Sequence, residues 1–109
     1  MQARSEINSG ICGFTTTVDV SCGDDYKCDI AIESECPNVK KLAAELTEVD
    51  AFGEISYRDG RPRTFELAEQ HLQHTACPVA SGIIKAIEVS AELAFPKDAT
   101  IEVSKVEQE

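Results

Sequence analysis

Two runs of alternating apolar and polar residues, Phe14 to Cys22 and Cys28 to Ser34, flank the polar stretch Gly23-Asp24-Asp25-Tyr26-Lys27 and predict a β-hairpin. Phe14, Thr16, Val18 and Val20 share one face of the first strand, and Cys28, Ile30 and Ile32 share the matching face of the second. Pairing Val18 with Ile32 and Val20 with Ile30 keeps both sets on one side of the sheet. A slip of one residue would turn the isoleucines into water. Carried outward, this register sets Phe14 opposite Cys36 and leaves Cys12 one diagonal step away, about 7–8 Å on the same face. Asp24-Asp25 reads as the turn itself, since one turn supplies too few oxygen ligands for a calcium site.

Three later segments change period from two to about 3.6. After Cys36-Pro37, the residues Val39, Leu42, Ala43 and Leu46 form the apolar stripe of a first helix. Thr64 is the expected cap of a second, with Phe65, Ala68 and Leu72 on one face and an end near His71 to His74. Pro78 suits the first turn of a third, which carries Ile83, Ile84, Ile87 and Ala91 and runs to about Ala94 before Pro96; Cys77 is then its N-cap. The intervening Phe52-Gly53-Glu54-Ile55-Ser56-Tyr57-Arg58-Asp59-Gly60 fits either a short strand or an irregular turn. Thr100 to Val106 alternates like a half-buried strand and is expected to join the hairpin at a sheet edge. The fold class is therefore α+β, one domain over 1–109: a small, mostly antiparallel sheet packed on one face by three helices.

Composition narrows the function. A chain of 109 residues supports one core of modest depth, and 42% hydrophobic residues with 4 prolines and 6 glycines describe a folded domain. No apolar run approaches the roughly 20 residues that span a bilayer. The start, Met1-Gln2-Ala3-Arg4-Ser5-Glu6-Ile7, lacks an apolar core of the secretory type, so the cytoplasm is the expected compartment. A formal charge of −10 repels nucleic acid and anionic membranes, which removes both as partners. Arg58-Asp59-Gly60-Arg61-Pro62-Arg63, the one basic cluster, reads as a solvated loop. No phosphate-cradling glycine loop and no Ser/His/Asp triad is present.

The candidate chemistry lies in five cysteines, an odd number that leaves at least one unpaired. In a reducing compartment such residues bind metal or react more often than they cross-link. Cys12, Cys36 and Cys77 with His74 make a Cys3His set suited to zinc, and the three thiolates alone, with a position left open, suit an iron–sulfur cluster. Cys36 and Cys77 would both sit at helix N-termini, where the helix dipole favours thiolate. Cys22 and Cys28 face each other across the hairpin tip; a disulfide between them requires a local geometry and redox state that permit it, and the leading expectation is that they are incidental or simply packed. His71 reads as an exposed helix residue. The leading expectation is a non-enzymatic metal or iron–sulfur protein acting as carrier, scaffold or structural zinc domain. Two alternatives stand beside it. One is a thiol enzyme or sulfur-transfer protein with Cys77 or Cys36 as nucleophile and His74 as base. The other is an interaction domain whose cysteines are core residues.

The order of Cys12-Gly13 before a hairpin, Glu35-Cys36 at the helix that follows it and Thr75-Ala76-Cys77 at a long late helix resembles the IscU/NifU-type scaffolds of iron–sulfur cluster assembly, over roughly Ile11 to Leu93. The resemblance implies that the three cysteines hold a nascent cluster or zinc and that a protein partner in metal or sulfur handling is engaged. This chain has Phe14 where those scaffolds carry an aspartate and Ala76 where they carry a histidine, and it lacks their Leu-Pro-Pro-Val-Lys motif. The run Cys77 to Val89 is also similar to a small family of uncharacterised proteins from anaerobes, a similarity that implies no activity.

Overall fold

In the computed structural model, which describes residues 1–107, the chain runs through four strands and four helices: β1 (Gln2–Asn8), β2 (Thr15–Cys22), β3 (Lys27–Ser34), α1 (Pro37–Glu45), β4 (Glu48–Asp50), α2 (Ala51–Glu54), α3 (Arg63–His71) and α4 (Val79–Ser90). The strands lie in sequence order in one antiparallel sheet. It is an α+β fold with helices on one face. The open face carries the polar positions of each strand, the usual arrangement for an antiparallel sheet with one side in water.

The hairpin register is the expected one, Val18 against Ile32 and Val20 against Ile30. Its tip is a three-residue loop in which Tyr26 takes the left-handed conformation at φ 63°, the Tyr26 N–H donates to Gly23 O, and Gly23 N–H donates to Lys27 O. A tyrosine holds this position because its ring packs on Phe52, centroids 4.6 Å apart, and its carbonyl accepts from Ala51 N–H. Asp24-Asp25 is indeed the turn.

Helix α4 crosses β1 and β2, α1 covers β3, and α3 closes against both helices. Val18, Val20, Leu42, Leu46, Leu67, Ile83 and Ile87 are all buried at the centre. Each such side chain contributes about 1.5–3 kcal/mol relative to exposure, so this layer carries most of the stability. Two contacts fix the direction of α4. Ser5 Oγ donates to Gly82 O, and Ser90 Oγ donates to Val20 O and to Met1 O. The helix thus runs antiparallel to β1, its start over the Asn8 end and its finish over the Met1 end.

Several expectations are corrected. Thr100 to Val106 forms no strand and is exposed along its length; the two edges of the hairpin it was expected to join are taken by β1 and β4. The strand beside β2 is instead β1, whose inward residues Ala3, Ser5 and Ile7 are too small and mixed to announce a strand, yet suit a helix that comes very close at Gly82. The Phe52–Gly60 stretch contains neither a strand nor only a turn, since α2 occupies its start.

Thr64 lies inside the first turn of α3 rather than capping it, and the capping oxygens come from Glu54. Helix α4 stops at Ser90, short of Ala94, in a Schellman motif: Glu92 sits at φ 62°, with Glu92 N–H on Val89 O and Leu93 N–H on Glu88 O. Among the described residues no helix is long and apolar enough to cross a membrane.

Candidate functional site

The ends of the sheet differ in their sulfur chemistry. At the hairpin tip Cys22 and Cys28 are direct cross-strand partners joined by a disulfide, with Cα atoms 3.9 Å apart. Cys22 N–H is directed to Ser90 Oγ at 2.9 Å and toward Met1 O, away from β3, so this is a non-hydrogen-bonded pair, the kind whose side chains approach most closely. Both residues are buried against the core. The expectation that they are merely packed is therefore corrected: the register brings two thiols together at the narrow spacing of the ladder, where bonding needs no backbone movement.

The three free cysteines are at the opposite end. Cys12 closes a 3-10 turn, Gly10–Cys12, in the connection from β1 to β2. Gly10 and Gly13 bracket it at φ 80° and 79°, a left-handed region that favours glycine. Ser9 N–H to Phe14 O and Gly10 N–H to Asn8 Oδ1 pin the loop, which holds Cys12 and the fully exposed Ile11 in solvent. Cys12 is thus on a looped excursion and not on the diagonal extension of β2. The ladder itself stops at Thr16 and Ser34, short of Phe14 and Cys36.

Cys36 is the N-cap of α1, as expected, with Pro37 behind it at the first helical position. Its N–H donates to Ser34 Oγ at 3.2 Å and its carbonyl accepts from Lys40 N–H, which leaves the half-buried thiol without a capping bond. Thr16 Oγ1 donates to the same Ser34 Oγ at 2.9 Å and ties β2 to this corner. A shallow open depression lined by Thr15, Thr17, Ser34, Glu35 and Lys40 adjoins it.

Cys77 is half-buried and lies one residue outside the cap of α4, because Pro78 takes the cap position. The Cys77 N–H closes a turn onto His74 O at 3.3 Å. With Gly82 over Ser5 and Ile7, the start of α4 at Val79 lies three residues further toward the Asn8 end, about 4.5 Å along the helix axis.

The sulfurs of Cys12, Cys36 and Cys77 therefore belong to one end of the sheet, on three different elements. They are not gathered into one ligand set: among the described residues no three His, Cys, Asp or Glu side chains stand grouped to hold an ion. His74 is exposed in the loop after α3. His71, expected to be exposed, is half-buried and pairs through Nε2 with the Glu45 carboxylate, linking α3 to α1.

Two ionic features escaped the sequence reading. Glu54 is a buried carboxylate, 4% exposed, and serves the fold by capping α3. On the open face Arg4 Nε donates to Asp19 Oδ1 at 2.7 Å, between direct partners of β1 and β2. That hydrogen bond and the guanidinium charge hold the Asp19 carboxyl below its usual range and raise Arg4. Both groups are in water, so the pair adds little to stability.

The molecule is thus an α+β protein whose one-sided antiparallel sheet carries a disulfide at one end and unbonded thiols at the other. The chain belongs to DUF6951, a family of unknown function whose model matches residues 3–103. No curated protein and no solved structure matches it.

Proposed function

We propose that the protein binds zinc or an iron–sulfur cluster through Cys12, Cys36 and Cys77, as a non-enzymatic carrier, scaffold or small metal domain. The observation that supports this reading is the division of its sulfurs: the two at the hairpin tip are consumed in a disulfide, and all three that stay free belong to the other end of the sheet. Two of them border helix starts, and the third is on a glycine-bracketed loop. Metal loading in this reading draws the Cys12 loop toward Cys36 and Cys77, with His74 as the fourth ligand for zinc. An open fourth position suits a cluster that is to be passed on. The partner class is a protein that supplies or receives metal or sulfur.

The proposed compartment is the cytoplasm, where three unpaired cysteines in five persist without scrambling. The buried Cys22–Cys28 bond is then a cross-link shielded from cellular thiols.

The test is purification without oxygen and without a metal-chelating tag, followed by zinc, iron and acid-labile sulfide per chain and a visible absorption spectrum. Near-stoichiometric zinc, or iron with sulfide, is expected. Cys12→Ser, Cys36→Ser and Cys77→Ser should each lower the content at least several-fold, while the double change Cys22→Ser/Cys28→Ser retains it. A protein that takes up neither zinc nor a cluster after anaerobic reconstitution overturns the reading, as does equal loss in both sets of variants.

A further inference from the structure

Among the described residues the sheet has one long edge with no strand paired to it. In the order β1-β2-β3-β4, the far edge is the three-residue β4, whereas β1 offers seven residues. The main-chain directions of β1 follow from Met1, whose carbonyl accepts from Cys22 N–H across the β1–β2 ladder. Odd residues of β1 therefore bond to β2. The N–H and C=O groups of Gln2, Arg4, Glu6 and Asn8 point outward. The edge has no proline, no inward-pointing charge and no strand paired to it among the described residues; its charged residues, Arg4 and Glu6, lie on the open face.

The same chain carries a strand-patterned segment that pairs with no sheet. After the Schellman turn at Glu92, residues 94–107 have no regular structure, yet Phe95, Ile101, Val103 and Val106 are 93%, 83%, 91% and 78% exposed. Ile101 and Val103 alternate with Glu102 and Ser104, the pattern of a strand with one face to be buried. The family match covers this segment as far as residue 103. Extents of 55 × 28 × 25 Å fit a segment lying away from the domain.

We propose that Thr100–Val106 of one copy adds to the outer edge of β1 in a second copy of this chain, and reciprocally, giving a two-fold strand-exchanged dimer. In a reciprocal two-fold pair each subunit contributes one donor strand and one acceptor edge, which leaves no donor unused. The added strand makes main-chain bonds to the outward groups of Arg4 and Glu6, and Ile101 and Val103 turn toward the helix-covered side, beside Ile7. Recognition by main chain explains how a sheet with so polar an open face associates without an apolar patch on that face.

The test is the solution mass of the full chain by light scattering from about 5 to 200 µM, beside two variants. Ile101→Lys/Val103→Lys charges the donor at residues outside the core. Glu6→Pro removes one outward N–H and no bond of the β1–β2 ladder. The full chain is expected at twice the monomer mass. Both variants are expected at the monomer mass with an unchanged far-ultraviolet spectrum; if Glu6→Pro disturbs the spectrum, the donor variant decides. A full chain that is monomeric throughout overturns the proposal, whether its tail is free or folded onto its own β1. So does a dimer that survives the change at Ile101 and Val103.

Discussion

Glu54 Oε1 accepts both the backbone N–H and the hydroxyl of Thr64, at 2.8 and 2.5 Å, while its Oε2 accepts Arg63 N–H at 2.9 Å. A residue ten positions upstream therefore does what Pro62, which has no polar side chain, cannot do at the N-terminus of α3. The negative carboxylate also meets the positive end of the helix.

Removing that carboxylate strands buried donors. Glu54→Ala is expected to lose about 3 kcal/mol of unfolding free energy, because charge-assisted bonds vanish and the N–H groups of Arg63 and Thr64 lose their partner. Glu54→Gln keeps one acceptor oxygen and should lose about half as much. Urea denaturation checks both. An effect of Glu54→Ala below 1 kcal/mol would show that water replaces the carboxylate and that α3 needs no cap from α2.

Gly82 is set by contact. A Cβ there would come within 2.3 Å of Ile7 Cδ1 and 2.5 Å of Cγ1, and Ile7 is buried between β1 and α4. Helix propensity favours Gly82→Ala by about 1 kcal/mol, but overpacking a core contact costs about 1–3 kcal/mol. The net expectation is a loss of about 1 kcal/mol. Gly82→Ala made together with Ile7→Ala should cost less than the sum of the two single changes, by about 1 kcal/mol, in a double-mutant cycle of thermal or urea unfolding. Simple additivity would mean that β1 and α4 separate freely at this point.

The Cys22–Cys28 disulfide closes a short loop, and removing its constraint on the unfolded chain is expected to cost about 2 kcal/mol. Cys22→Ala/Cys28→Ala should therefore unfold at lower denaturant than the native protein, and reductant should lower the midpoint of the native protein alone. Alkylation under denaturing, non-reducing conditions, read by mass spectrometry, should modify three of the five cysteines. Five modified cysteines in protein quenched directly from cells would show that the bond does not form there.

The hairpin register and the helix-forming segments were legible in local side-chain patterns. Val18, Val20, Ile30 and Ile32 admit one pairing that buries them together, and the stripes from Val39 to Leu46 and from Ile83 to Ala91 admit one helical face each. These are local periodicities, and burial enforces them wherever the elements end up. Tertiary structure decided the rest. It made a strand of Gln2–Asn8, whose Ala3, Ser5 and Ile7 signal little until α4 lies against them, and it left Thr100–Val106 unpaired although its alternation is stronger.

It moved the cap of α3 from Thr64 to Glu54, a partner no local pattern names, and ended α4 at Ser90, through the backbone turn at Glu92, and not near Ala94. The cysteines divide in the same way. Opposition of Cys22 to Cys28 follows from the register, but the bond between them depends on a ladder spacing that sequence does not give. That Cys12, Cys36 and Cys77 belong to one end of the sheet follows from chain order, while their separation on a loop, a helix cap and a pre-helix turn depends on how β1, β3 and α4 end. Side-chain periodicity reports which face an element buries; it carries no distance between the ends of different elements, and the chemistry of this protein is decided at those ends.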